Sequence, residues 1–174
     1  MFSTKTLATS ALVLSLSGFG FAASAMDNPM VGGAAMYSDK NIIENAVNSA
    51  DHTTLVAAVK AAGLVDTLAG EGPFTVFAPT NDAFAKIPSD TLNGLLADKD
   101  ALTAVLLRHV VPGAALKARE VPKGTTTLDT AGGEKIDVTR GRYITVKSSA
   151  GEAGVIAFDV LATNGVVHLV NSVF

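Results

Sequence analysis

The chain has 174 residues, 13 of them basic and 16 acidic, with no cysteine and no tryptophan. Without cysteine there is no disulfide framework, thiol nucleophile, Cys-ligated zinc, iron–sulfur cluster or lipid-modified cysteine. The acidic balance argues against nonspecific nucleic-acid binding. The chain opens on Lys5 and a charge-free, mostly apolar stretch, Leu7 to Ala22, followed by Ala23-Ser24-Ala25. A short positive start, an apolar run and a small-x-small tripeptide predict a signal peptide over residues 1–25. The alternative is a membrane anchor. The run falls short of the ~20 strongly apolar residues a span needs, and four serines and threonines and two glycines dilute it. The expectation is therefore an exported protein, secreted or periplasmic, not a lipoprotein, with no membrane span after cleavage. None of the eight asparagines lies in an Asn-x-Ser/Thr site, which agrees with a bacterial source.

Residues 26–37 contain Pro29, Gly32 and Gly33 and read as a leader with little structure of its own, whose Met and Val residues can pack on the domain. Helical periods come next. Ile42, Ile43, Ala46 and Val47 share a helix face, as do Leu55, Val56 and Val59, with Gly63 as a stop. Phe74 to Ala78 is a short apolar run between prolines and predicts a buried strand. Thr80 is placed to cap a short helix beginning at Asn81 and Asp82, where an acidic side chain suits the positive helix end. Further helices are predicted from Ser89 to Leu96 and from Asp100 to His109.

The pattern then changes to period two. Ile136 and Val138, Ile144 and Val146, and Ile156, Phe158 and Val160 each alternate with more polar or smaller residues. Gly132-Gly133 and Asn164-Gly165 read as hairpin turns. Val166 to Val170 is apolar at nearly every position and predicts a central strand. Helices first and strands later predict an α+β domain over residues 38–174. Charge is divided as well: residues 26–100 carry four basic and ten acidic side chains, residues 101–174 eight and six. The basic strand region is either an ordinary solvated face or a contact for anionic polymer, with Arg140 and Arg142 as candidates.

Two segments carry a resemblance. Thr75-Val-Phe-Ala-Pro-Thr-Asn-Asp-Ala-Phe84 resembles the first signature block of the fasciclin (FAS1) domain, and Ala162-Thr-Asn-Gly-Val-Val-His-Leu-Val170 resembles the second. Between them, Leu106-Leu-Arg-His-Val-Val111 resembles the Tyr-His segment of that family, with Arg108 where the family has Tyr. The leader and the run from Asn41 resemble its bacterial single-domain branch. The resemblance implies a fasciclin-like fold of two small β-sheets forming a wedge wrapped by several α-helices. It also implies adhesion or interaction with an envelope protein or polysaccharide, no enzymatic activity and no cofactor. An alternative function is a periplasmic small-molecule carrier with a cleft between sheets and helices. The expected state is a monomer.

Candidate chemistry is sparse. His52, His109 and His168 are the only histidines. His109 shares a helix face with Leu102, Val105 and Leu106, which makes it a core residue. His168 lies on a strand face with Val166 and Val170 and reads the same way. Thr80, Asp82 and Phe77 read as cap and core. The spacing of the histidines makes no local metal motif, so no metal or catalytic residue is assigned. The candidate partner-binding residues are Asp159, Leu161 and Asn164. Regular alternation turns Asp159 and Leu161 outward together and puts Val160 opposite them with Ile156 and Phe158. In animal relatives an Asp-Ile-Leu or Asp-Ile-Met tripeptide before the second block is associated with integrin binding, and Asp159-Val160-Leu161 resembles it.

Overall fold

The computed structural model describes residues 28–174, so the signal-peptide expectation for residues 1–25 lies outside the described residues. The leader has more structure than its composition predicts. Strands β1 (Met30–Val31) and β2 (Ala34–Ala35) pair antiparallel around Gly32 and Gly33. Both glycines have positive φ. A Cβ on Gly32 would also run into Ser49 Oγ and the backbone at Ala50 and Asp51. Only glycine lets this hairpin sit so close to its neighbour. Val31 and Met36 are buried by the contact.

Helix α1 (Ile42–Asn48) starts at a capping box in which the Asn41 side chain accepts from the Glu44 N–H and Glu44 reaches back to the Asn41 N–H. Its buried face is the predicted one in part, with Ile42 in the core and Ile43 packed against it. Ile42 and Asn45 point inward while Val47 is 53% exposed. Asn45 can be buried because it exchanges two hydrogen bonds with the Tyr37 backbone, 2.9 and 2.8 Å long. A 3-10 turn (Ala50–His52) leads into α2 (Thr53–Ala62), which Gly63 ends in the left-handed conformation at φ 71°. The short helix α3 (Val65–Ala69) has too few residues for a visible period and was not predicted.

Strand β3 (Phe74–Pro79) is buried along nearly its whole length. Helix α4 (Asn81–Ala85) is next, capped by Thr80, whose hydroxyl accepts from the Ala83 N–H. Then come α5 (Ser89–Ala97) and α6 (Lys99–Arg108), the second capped by Asp98. Strands β4 (Val110–Pro112), β5 (Gly124–Asp129), β6 (Lys135–Arg140), β7 (Ile144–Lys147), β8 (Glu152–Ala162) and β9 (Gly165–Val170) complete the chain. Neither β4 nor β5 was predicted: β4 is three residues long, and β5 is a threonine-rich, largely exposed edge.

The strand order is β4-β3-β9-β8-β7-β6-β5. The long strand β8 divides this ribbon in two. Glu152 to Gly154 pair with β7, and Val155 to Ala162 pair with β9. Strands β3 and β9, from opposite ends of the domain, run parallel in the middle with Phe74 beside Gly165 and Pro79 beside Val170. Two cores result. The larger one packs α1, α2 and α6 on β3 and β9, through residues such as Ile42, Val59, Leu106, Val76 and Leu169. The smaller one lies between the two sheets. Phe77, Val111, Val170 and Phe174 meet Ile136, Val138, Val146 and Ala153 there. With no disulfide, this burial is what opposes the entropy of the chain, at roughly 25 cal/mol per Å² of apolar surface removed from water.

Candidate functional site

His109 and His168 are buried, and each ring spends both nitrogens on backbone. His109 Nδ1–H donates to the Val105 carbonyl at 2.7 Å, and its Nε2 accepts from the Phe174 N–H at 3.3 Å. His168 Nε2–H donates to the Leu116 carbonyl at 2.7 Å, and its Nδ1 accepts from the Asp159 N–H at 3.3 Å. These pairings define one neutral tautomer for each ring. Burial pushes the His109 pKa down to about 4, with the Val105 hydrogen bond opposing part of the shift. Burial lowers His168 too, against the Leu116 hydrogen bond and the Asp159 charge. Phe77 stacks on His168 at 5.6 Å, and Phe174 lies 4.1 Å from the His109 ring. Neither imidazole has a free nitrogen with which to take or give a proton. Among the described residues no group of three His, Asp or Glu side chains converges to hold a metal ion. Asp82 is exposed in the first turn of α4.

Arg108, at the position of the family's Tyr, forks onto Glu134 through Nε and Nη2, the latter at 2.8 Å. The pair ties the end of α6 to the turn before β6. The Arg108 hydrogen bonds hold the Glu134 carboxyl below its ordinary range.

The alternation predicted for β8 is corrected by the structure. Eight residues of β8, Val155 to Ala162, oppose six of β9, with register shifts between Val155 and Ala157 and between Ala157 and Val160. Each shift inserts one extra residue, and each extra residue reverses the facing of the residues after it. Asp159 sits in the second bulge at φ 59°, in the left-handed region that Asp enters more readily than most residues. Its carboxylate accepts from the Ala118 N–H at 2.6 Å and so fastens the segment around Ala118 to β8. Asp159 therefore does not project freely beside Leu161. Ile156 and Phe158, predicted to face inward, are 56% and 57% exposed, and Leu161 is 38% exposed. Only Val160 of the predicted inner set is buried.

Asn164 is also placed differently from the expectation. It is buried, and its Nδ2 donates to the Leu68 and Gly70 carbonyls at 2.6 and 2.9 Å. Its Oδ1 accepts from the Ile42 N–H at 3.1 Å. One amide thus joins α1, the end of α3 and the β8–β9 turn, and nothing of it is left for a partner. Arg140 is engaged through one nitrogen only. Its Nη1 donates to the Arg119 and Val121 carbonyls at 2.9 and 2.7 Å. Arg142 is exposed, with its guanidinium 6.0 Å from the centre of the Tyr143 ring.

What remains for recognition is an edge and a groove. From Val155 to Ala162, β8 pairs only with β9, and its other edge carries no strand among the described residues. Leu161 at the end of that edge also lines an open groove of about 770 Å³ between Gly70-Glu71-Gly72-Pro73, Ala115, Lys117 and Thr163. The apolar pair Ile156 and Phe158 was missed from the sequence because it lies inside the bulged stretch. The unusual length of the apolar run from Val155 to Ala162 was the available signal.

The fasciclin domain model matches residues 50–174. Protein sll1483 of Synechocystis sp. is 43% identical over 151 residues, which cover 83% of this chain and 78% of that protein. Transforming growth factor-beta-induced protein ig-h3 of Sus scrofa is 40% identical over 119 residues, 68% of this chain and 17% of that much longer protein. The solved FAS1 domain pair from the insect cell adhesion molecule Fasciclin I superposes with a TM-score of 0.66 at 16% identity, covering 78% of this chain and 50% of the other. That likeness concerns the fold, an α+β arrangement of helices and sheets like the one described above.

Proposed function

The chain belongs to the fasciclin (FAS1) domain family, and from that premise we propose that it is a non-enzymatic adhesion or interaction module. Its FAS1 relative Fasciclin I is a cell adhesion molecule. The observation that carries the reading is the unpaired edge of β8 with Ile156, Phe158 and Leu161 exposed on it. An open edge offers unpaired backbone donors and acceptors, and apolar side chains beside it reward a strand that adds there. The partner is an extended segment of an envelope protein. Leu161 leads from the edge into the groove, so such a segment can run from one into the other.

The carrier alternative is weaker on both hollows: the groove of about 770 Å³ has the volume for a ligand but is open, with Leu161 and Val166 its large apolar side chains. The apolar cavity between the helices and β3 measures about 50 Å³, about a third of the ~150 Å³ that admits benzene. Export follows from the apolar run Leu7 to Ala22 and from Ala23-Ser24-Ala25, and the working form is a secreted or periplasmic monomer. Among the described residues no helix is long and apolar enough to cross a membrane.

The test is capture from envelope extracts by immobilised protein. Phe158→Asp combined with Leu161→Asp is expected to reduce capture at least tenfold while the circular dichroism spectrum and elution volume stay those of the wild-type monomer. Full capture by the folded double variant refutes the edge. Mass spectrometry of protein from the native host is expected to show a chain beginning at Met26.

A further inference from the structure

Cations gather at one end of the sheet formed by β5, β6 and β7. Gly124 opens β5 beside Arg140, which closes β6, and Gly141 to Tyr143 turn the chain into β7. Lys123 therefore stands at the same end as Arg140 and Arg142. Arg119 joins them, because its carbonyl is held by the Arg140 guanidinium. None of these four side chains has an ion-pair partner among the described residues. Glu120, the acid in the same segment, accepts from the Lys117 N–H at 2.9 Å. The exposed pair of Asp129 and Lys135 lies at the far end of the β5–β6 ladder.

Arg140 is the organised member of the group. It is half-buried, while Arg119, Lys123 and Arg142 are exposed. Both hydrogens of its Nη1 are used, on the Arg119 and Val121 carbonyls at 2.9 and 2.7 Å. A planar guanidinium fixed at that nitrogen has its orientation set. Its Nε and Nη2 have no partner among the described residues. The one buried side-chain nitrogen or oxygen without a partner there belongs to His52, so both Arg140 nitrogens reach solvent. Together they form one edge of the fork, two parallel N–H bonds suited to two oxygens of a single oxyanion. Arg108 uses that edge in this protein, holding the Glu134 carboxylate with Nε and Nη2. At Arg140 the protein supplies the edge and no acid to meet it.

We infer that the Nε–Nη2 edge of Arg140 binds one carboxylate or sulfate group of an acidic polysaccharide, with Arg119, Lys123 and Arg142 answering the next charges along the polymer. Such a ligand repeats its charge, which suits a cluster of cations around one fixed fork. Tyr143, 73% exposed beside Arg142, offers an aromatic face and a hydroxyl to a sugar ring. A membrane surface attracts basic side chains as point charges and serves lysine as well as arginine. A guanidinium pinned by two carbonyls is instead geometry for a single oxyanion. The whole chain carries a net charge of −3, so it has no general attraction for polyanions and binding must come from this end. The site uses none of the exposed residues of the β8 edge, and its failure would leave the adhesion reading untouched.

The experiment is a titration of the isotope-labelled full chain with dextran sulfate and with polygalacturonate, followed by NMR of the arginine Nε–H groups. Neutral dextran is the control, and vesicles of phosphatidylcholine and phosphatidylglycerol are the competing surface. A saturable shift of the Arg140 Nε–H is expected with at least one of the two acidic polymers and weakens with added salt. The polymer that binds more tightly identifies the group as sulfate or carboxylate. Arg140→Lys keeps the charge and loses the edge, and is expected to weaken binding at least fivefold with an unchanged circular dichroism spectrum. Arg142→Lys is expected to change binding less than twofold. An Arg140 Nε–H that stays still with both polymers overturns the inference, and this measurement stands even if the variant fails to fold. Equal shifts with neutral dextran, tighter binding to the vesicles than to either polymer, or wild-type affinity in a folded Arg140→Lys chain overturn it too.

Discussion

Lowering the pH from 7.5 to 4.5 is expected to remove about 2.5 kcal/mol of folding stability through His109 alone. The ring is buried against Phe174, and its pKa falls from 6.5 to about 4 in the folded chain. A depressed histidine pKa means that the unfolded chain takes up the proton first. Stability is thus complete above pH 6.5 and drains as the pH falls toward 4. Near pH 5.5 the unfolded state holds most of one proton and the native state almost none, so the slope is about 1.2 kcal/mol per pH unit. His52 and His168 are lowered as well and act in the same direction. Glu134, whose carboxyl Arg108 holds low, acts in the same direction but begins to lose its contribution only as the pH nears its ordinary value of 4.5, at the bottom of this window. The assay is urea unfolding at half-unit steps from pH 7.5 to 4.5, on the wild type and on His109→Gln, which keeps a donor for the Val105 carbonyl. The variant is expected to be less stable at pH 7.5 and to lose about 1.2 kcal/mol per unit of the slope. A flat wild-type profile above pH 4.5, or an unchanged slope in the variant, refutes the reasoning.

Asn164→Ala is expected to cost about 2–4 kcal/mol, because it strips partners from the Ile42 N–H and from the Leu68 and Gly70 carbonyls together; chemical denaturation measures it. Gly165→Ala is expected to prevent folding or to cost more than about 4 kcal/mol, since its Cβ would collide with the Phe74 carbonyl across the parallel β3–β9 pair; soluble yield and circular dichroism decide. Arg140→Gln is expected to lower stability by about 1–2 kcal/mol, through the Arg119 and Val121 carbonyls it abandons. Arg142→Gln is expected to leave stability within about 0.5 kcal/mol and to weaken salt-sensitive retention on a sulfated polysaccharide column; unchanged retention removes Arg142 as an anionic-polymer contact.

The sequence alone was enough for the family, the α+β order and most element positions. The two signature blocks bracket the domain, and their residues turn out to be neighbours: Phe74 to Pro79 and Gly165 to Val170 form the parallel central pair. Local rules sufficed wherever the cause was local. Thr80 accepts from a backbone N–H three residues on, Gly63 ends α2 at a positive φ, and Leu102 and Leu106 are buried on the helix face that leads to His109. Each depends on a few adjacent residues and on a fixed repeat of about 3.6 or 2.

Only the tertiary structure decided which side chains of β8 meet solvent, and that is where the candidate site moved. Alternation presumes an unbroken ladder, and two inserted residues break it. The second bulge is held by Ala118, 41 residues away, and by His168 on the neighbouring strand. The same holds for Asn164, a turn residue by sequence, whose amide is bonded to Leu68, Gly70 and Ile42, and for Arg140, one nitrogen of which is turned onto two backbone carbonyls while its charge stays unpaired by any acid among the described residues. The leader hairpin owes its place to the close approach of Gly32 to Ser49 and Ala50. A periodic pattern reports the average environment of one face. It cannot report a hydrogen bond to a segment far along the chain, and in this protein such bonds determine what the surface presents.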